Sequence, residues 1–342
     1  MTRLGIVGGG QLGRMTALAA ANLGIDVGVL DPDEDAPAVR VAAFHVEGAL
    51  DDPDAVRRLA ERVDAVTFEW ENVAPDALQG LPVPVHPGPA ALRVTQDRLA
   101  EKRFVRAQGI GTADFEPVER DEGAIAAALE RLGGRGVLKT RRLGYDGRGQ
   151  ARLPDLAPLA ALEAVGPGEL ILEAWVPFDA ELSVIGARGA EGTVCYDPGR
   201  NRHENGILRE TVVPSGLPPA LEGQAHHIAE RLLVALDYRG VLGVEMFAVG
   251  DRLLVNELAP RVHNSGHWTD GGAVTSQFEQ HVRAVMGLSL GSARRLADAR
   301  MMNVLGDEIP EPSAHARTVI YGKREARPGR KMGHVTHLLP LS

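Results

Sequence analysis

The stretch GVLKTRRLGYDGRGQ, residues 136–150, carries the most chemistry for its length. A lysine, Lys139, ends an apolar run, and Gly144, Gly147 and Gly149 follow within seven residues of one another. Glycine lets a backbone approach a ligand closely and turn its N–H groups toward phosphate oxygens, while lysine supplies a point charge. No G-x-x-x-x-G-K-[ST] occurs, so this is not a Walker A loop. A hairpin tip with a solvated lysine fits the same spacing, and both readings stay open. In GVEMFAVGDRLLVNELAPR, residues 243–261, two apolar runs flank Gly250-Asp251-Arg252. A three-residue turn there sets Glu245 opposite Glu257 on one face. Opposed like charges are unfavourable unless a cation neutralises them, and Mg²⁺ takes one or two carboxylates plus substrate phosphates. Asn256 becomes a third oxygen ligand if the register shifts by one. The alternative is an exposed hairpin with solvated glutamates, but Val244, Met246, Val255 and Leu258 mark buried surroundings.

Between these motifs, ILEAWVPFDAELSV places Glu173 at one strand end and Glu181 at the next strand's start. Apolar side chains there could hold a purine while the backbone of Glu173, Ala174, Trp175 and Val176 reads its edge. A plain strand-loop-strand fits equally well. The N-terminal GIVGGGQLGR matches G-x-G-x-x-G, and Asp31 closes the next apolar run, as in a dinucleotide site. A lone fingerprint of this kind is weak.

These residues need a scaffold, and βαβ alternation supplies one. Strands are expected over 3–8, 25–30 and 65–68, with a helix over 11–23 and another bearing Arg57, Arg58, Glu61 and Arg62. A short strand in VPVHPG, 83–88, closes an open parallel sheet, and a helix spans Thr95–Gln108. Strands at 112–118, 136–140 and 169–176, with a helix at 121–132, form a smaller unit. Strands ELSVIGAR, GTVCYDP and LRETVVPS, a helix over 219–236 and the 241–258 hairpin complete an α+β region; short strands fill 300–342.

Composition excludes several classes. The 342 residues are 44% hydrophobic and 24% charged, as in a globular protein of two or three domains. A net charge of −9 argues against nucleic-acid or acidic-membrane partners. No apolar run approaches the ~20 residues of a membrane span, and a first strand at Leu4 leaves no room for a signal peptide. The single cysteine, Cys195, reads as a core thiol in a cytoplasmic protein.

The motif order carries a resemblance. GGGQLGRM, TFEWENV, QDRLAEK, GYDGRGQ, RNRHENGILRE, NELAPRVHNSGHW and RPGRKMGH occur in the sequence order of ATP-grasp enzymes, and more narrowly the chain resembles the N5-carboxyaminoimidazole ribonucleotide synthase family over nearly its whole length. The resemblance implies an α/β and α+β architecture: a Rossmann-like preATP-grasp domain over 1–97, an ATP-grasp domain over 98–290 with a lid subdomain about 112–175, and a β-rich domain over 291–342. Relatives usually continue past GHVTHLLP into a helical segment, so that last domain is expected to be shortened. The implied reaction joins ATP, bicarbonate and 5-aminoimidazole ribonucleotide, with Mg²⁺, in a cytoplasmic homodimer. Arg98 and Lys139 would contact phosphates, and Gly144, Tyr145, Asp146, Gly147, Arg148, Gly149 and Gln150 would form the lid. Glu173 to Val176 would hold adenine, Glu181 the ribose, and His203 a further nucleotide contact; Asn256 and Glu257 would sit at the triphosphate, with Glu245 and Glu257 on the metal. Gln11, Leu12, Glu71 and Asn72 would line the acceptor ribonucleotide, and Lys323 and Arg330 would grip its 5′-phosphate. Tyr145, Arg148, Arg261, His263 and Asn264 would surround the carbonate. On this reading GGGQLG faces the ribonucleotide rather than NAD, and Asp31 needs only a solvated loop. Rivals are a formate-dependent purine transformylase or biotin-carboxylase-like ligase, an NAD oxidoreductase, and a non-catalytic nucleotide-binding regulator.

Overall fold

The computed structural model describes residues 1–144, 147–308 and 316–341. Its first sheet is parallel, in the order β3-β2-β1-β4: β1 (Arg3–Val7), β2 (Asp26–Asp31), β3 (Phe44–Glu47) and β4 (Ala65–Phe68). Helix α1 (Gln11–Asn22) follows β1, and α2 (Pro53–Ala60) precedes β4. Asp52 caps α2 by accepting from the Asp54 N–H, with proline at the first helical position. The expected strand at 83–88 is absent; Val85 makes a single bridge to Val66. Pro82, Pro84 and Pro87 remove the donors that a ladder needs. The helix expected over Thr95–Gln108 starts later, as α4 (Arg98–Ala107), and a separate short helix that was not expected, α3 (Pro89–Thr95), precedes it. Asp97 starts α4 by accepting from Leu99 N at 3.0 Å and Ala100 N at 3.3 Å.

A small antiparallel sheet has the order β5-β8-β6-β7: β5 (Phe115–Val118), β6 (Gly136–Thr140), β7 (Gln150–Leu153) and β8 (Leu170–Ala174). Helices α5 (Glu122–Arg131) and α6 (Pro158–Val165) bury Ile125, Ala128 and Ala161 against Leu138, Leu170 and Leu172. The glycine-rich segment is therefore the tip of the β6–β7 hairpin.

The large sheet is antiparallel, in the order β14-β13-β9-β11-β12-β15-β17-β16 with β10 also paired to β9. It contains β9 (Ala180–Arg188), β10 (Thr193–Cys195), β11 (Gly199–Glu204), β12 (Ile207–Val213), β13 (Gly240–Val249) and β14 (Arg252–Ala259). The tail adds β15 (Asp298–Leu305), β16 (Arg317–Ile320) and β17 (Lys331–Leu339) to the same sheet through β12–β15 pairing. Helix α7 (Pro219–Ala235) packs Leu221, Ala225, Ile228 and Leu232 with Val184, Leu242 and Val244 in one core. Cys195 packs partly buried against that core, and burial pushes its thiol up to about 12, so it is inert.

Candidate active site

The two-residue turn after β13 differs from the expected three-residue one: Val249 pairs with Arg252, and Gly250 takes the positive φ of +60° that such turns need. That register alone would set Glu245 opposite Asn256. A bulge between Glu245 and Met246 on β13 and their partners shifts the pairing by one, bringing Glu257 opposite Glu245 with Asn256 as the extra residue.

All three residues line one cavity of about 1360 Å³ between the sheets. Burial, then the Glu257 charge, pushes the Glu245 carboxyl well above its usual range. Burial also acts on Glu257, but Arg98 outweighs it and holds that carboxylate low; its Nη1 donates to Glu257 Oε2 at 3.0 Å. Two opposed carboxylates and an amide are an oxygen-only donor set that fits a hard cation such as Mg²⁺. Among the described residues there is no cluster of three His, Cys, Asp or Glu side chains able to hold a metal. His263 Nε2 lies 3.2 Å from Glu245 Oε1. Its Nδ1 is 2.8 Å from the Ser265 hydroxyl, which accepts from Ser183. Burial and Arg261 push His263 down to about 3, so the ring is neutral and presents Nε2–H to Glu245.

Lys139 is buried, not solvated: Nζ donates to Glu173 Oε2 at 2.9 Å, and Lys102 Nζ approaches the same oxygen at 3.3 Å. Burial raises the Glu173 pKa, yet the Lys102 and Lys139 charges prevail and hold it at about 2. The Glu173 side chain therefore lies beneath the cavity as an anchor. Glu173, Ala174, Val176 and Gly149 are not among the described residues that line it, whereas Gly144, Gly147, Arg148, Gln150 and Trp175 are. The Ala174 and Trp175 N–H groups are taken by Asp114 O and Arg135 O. Tyr145 and Asp146 lie outside the described residues. Glu181 Oε2 meets His203 Nδ1 at 2.6 Å, and this contact raises the His203 pKa against its burial. Phe178 and Phe247, stacked with centroids 4.6 Å apart, add an apolar wall that the sequence reading did not single out.

The same cavity brings together Gln11, Leu12, Glu71, Asn72, Arg261, Asn264, Lys323 and Arg330. Arg261 and Glu71 form an ion pair across 190 residues of chain. Asn303 Nδ2 donates to Asn264 Oδ1 at 2.6 Å. Lys323 Nζ donates to Lys331 O at 2.7 Å and Arg330 Nη1 to Glu325 O at 2.9 Å, which secures both cations around the Pro328-Gly329 turn.

The N-terminal glycine turn carries no vacant phosphate cradle. Glu69 accepts from Gly10 N at 2.7 Å and from Gly13 N at 2.9 Å, and Asp31 accepts from Gly9 N at 2.6 Å. Asp31 thus closes the turn rather than sitting in a merely solvated loop, and both carboxylates occupy the N–H groups a dinucleotide pyrophosphate would use.

Family models match along the chain: a ribonucleotide synthetase preATP-grasp domain over residues 1–96, an ATP-grasp domain over 103–278 and a phosphoribosylaminoimidazole carboxylase C-terminal domain over 299–340. Fold and site together define an ATP-grasp enzyme. The chain is 48% identical to the N5-carboxyaminoimidazole ribonucleotide synthase of Brucella melitensis, over 98% of this chain and 96% of that one. It belongs to the N5-carboxyaminoimidazole ribonucleotide synthase family. The solved synthetase from Thermus thermophilus is 45% identical with a TM-score of 0.90, covering 98% of this chain and 93% of that chain. The Aspergillus clavatus synthase, solved with ADP and 5-aminoimidazole ribonucleotide, is 33% identical with a TM-score of 0.92, covering 99% and 94%.

Proposed function

We propose that this chain catalyses the ATP-dependent carboxylation of 5-aminoimidazole ribonucleotide with bicarbonate to N5-carboxyaminoimidazole ribonucleotide, ADP and phosphate, in purine biosynthesis. The observation that carries the reading is one cavity of about 1360 Å³ lined by Lys139, Arg98 and two opposed glutamates and also by the Lys323–Arg330 turn. That volume exceeds the ~300–1,000 Å³ of a pocket built for one small ligand, so nucleotide and acceptor fit together.

Lys139 and Arg98 bind the triphosphate, Glu181 and His203 the ribose, and the Phe178–Phe247 wall the base. Glu245, Glu257 and Asn256 would hold Mg²⁺, which offsets charge on the transferring phosphoryl group. Bicarbonate is a poor electrophile, and its phosphorylation gives carboxyphosphate, which releases CO₂ beside the acceptor amine. Arg261, His263 and Asn264 surround that carbonate, while the glycine hairpin, with Tyr145, Asp146 and Arg148, excludes water from so labile a species. Gln11, Leu12, Glu71 and Asn72 orient the acceptor, whose phosphate lies at Lys323 and Arg330. A lid around residues 112–175, a cytoplasmic location and a homodimeric assembly belong to the same reading. No helix of the described residues is long and apolar enough to cross a membrane.

Phosphate release from ATP, measured with bicarbonate and 5-aminoimidazole ribonucleotide added separately and together, tests the proposal. Full turnover is expected only with both. Equal turnover with formate in place of bicarbonate, or with another acceptor amine, would move the chain to a different ATP-grasp ligase.

A further inference from the structure

Strand β14 is the edge of the large sheet, so the backbone groups on its outer side need partners. Val255 N finds Gly111 O at 2.8 Å. Beyond the bulge, two side chains take over. Lys102 Nζ donates to Asn256 O at 3.1 Å, and Glu101 Oε2 accepts from Leu258 N at 3.0 Å. The residue between those two backbone groups is Glu257, whose own carboxylate meets Arg98 at 3.0 Å.

Arg98, Glu101 and Lys102 stand at i, i+3 and i+4 of α4, one face of one helix. Glu101 and Lys102 are each only 2% exposed, a costly place for polar groups whose partners are not in position. Lys102 also reaches Glu173 Oε2 at 3.3 Å, the oxygen that accepts from Lys139. One helix face therefore touches both the carboxylate strand of the large sheet and Glu173 of the small one, the carboxylate that also holds Lys139.

We propose that Glu101 and Lys102 are positioning residues: together they stand in for the missing neighbour strand, clamp the backbone on both sides of Glu257, and so hold its carboxylate in the geometry that takes a divalent cation with the nucleotide. This rests on the reading of Glu257 as a metal ligand. Neither residue is assigned a contact with substrate. Their effect passes through Glu257 and, from Lys102, through Glu173 to Lys139.

Two measurements on the full chain separate the clamp from the metal reading. Hydrogen exchange over residues 253–259, without ligands, reads the clamp directly. Glu101→Met is expected to raise exchange at Leu258 at least about tenfold, and Glu101→Gln, which keeps an acceptor oxygen, to return most of the protection. ADP affinity with Mg²⁺ and with EDTA, by calorimetry, reads the consequence. Wild type gains affinity from Mg²⁺; Glu101→Met and Lys102→Met lose most of that gain, and Glu101→Met leaves metal-free ADP binding within about threefold. Unchanged exchange at Leu258, or an Mg²⁺ gain retained by Glu101→Met, overturns the proposal. So does an equal loss with and without metal, which marks a purely structural role. If wild type shows no Mg²⁺ gain, it is the metal assignment of Glu257 that fails, while the exchange data still decide the clamp. Failure of Glu101→Met, Glu101→Gln and Lys102→Met all to fold overturns it too, because the pair then serves the fold.

Discussion

Glu245 and Glu257 face each other across β13 and β14 inside the cavity, and without a cation both cannot be ionised cheaply. The folded structure resolves this by raising the Glu245 pKa, through burial and the Glu257 charge. The sign of the linkage follows. An acid whose pKa is raised on folding costs stability above that raised pKa, and the cost vanishes at acid pH, where the proton is bound in both states. Glu245→Gln removes the cost and keeps an oxygen for His263 Nε2. Metal-free Glu245→Gln should therefore melt a few degrees above wild type at pH 8, with the difference shrinking toward pH 5, by differential scanning calorimetry. Mg²⁺-dependent stabilisation by ADP should fall in the same variant. A lower melting temperature at pH 8 would mean that the ionised pair is not repulsive. This pair was legible in the sequence, although through a three-residue turn; the two-residue turn plus the bulge at Asn256 reaches the same opposition. Glu101 and Lys102 were not legible as buried groups, nor Glu69 as the half-buried acceptor of the glycine turn. A helix reading RLAEKRFVRA looks solvent-facing, and only its tertiary partners, the β14 edge and Glu173, make burial of Glu101 and Lys102 tolerable.

Elements were recovered where apolar periodicity was strong and missed where side chains were charged or the run was short. Strand β11, GRNRHE, carries almost no apolar signal and holds its place by pairing with β9 and β12. Strand β7 follows the glycine turn so closely that the segment read as a loop. Asp97, a strong N-cap residue, marks where α4 starts, three residues after the start expected at Thr95, and that signal was in the sequence. The glycines of the β6–β7 tip have a steric reason as well as a chemical one. Gly149 has φ +70°, and a Cβ there would come within 2.5 Å of Thr140 Oγ1. Gly149→Ala should strain or displace the tip by about 1–2 kcal/mol, roughly a 5–30-fold effect. In steady-state kinetics the KM for ATP should rise by a factor in that range, with the KM for 5-aminoimidazole ribonucleotide within about twofold. An unchanged KM for ATP would separate the hairpin from nucleotide binding.

At the scale of the whole molecule, the cavity exists because three sheets meet. Beside the parallel N-terminal sheet, the start of α1 contributes Gln11 and the loop after β4 Glu71; the small sheet contributes Lys139, and the large sheet the glutamate pair. The tail joins through β12–β15 pairing, which brings Lys323 and Arg330 to the cavity that Arg98 and Lys139, from much earlier in the sequence, also line. Lys331 O and Glu325 O hold the two side chains on either side of Pro328-Gly329, so neither relies on a nucleotide contact for its position. Charge-assisted contacts to phosphate contribute roughly 1.5–3 kcal/mol each, so losing one costs about ten- to a hundredfold. The double change Lys323→Ala with Arg330→Ala should accordingly raise the KM for 5-aminoimidazole ribonucleotide at least tenfold. Arg98, Lys139, Glu245 and Glu257 belong to other elements and keep their partners, so the KM for ATP should stay within about twofold. The ribonucleoside lacking its 5′-phosphate provides the control, because a turn that reads phosphate gives the double variant and wild type similar, weak use of it. If ATP affinity falls as far as acceptor affinity, or if wild type uses the ribonucleoside as well as the ribonucleotide, the turn is not the acceptor's phosphate site and the acceptor must enter the cavity from the Gln11 side in another orientation.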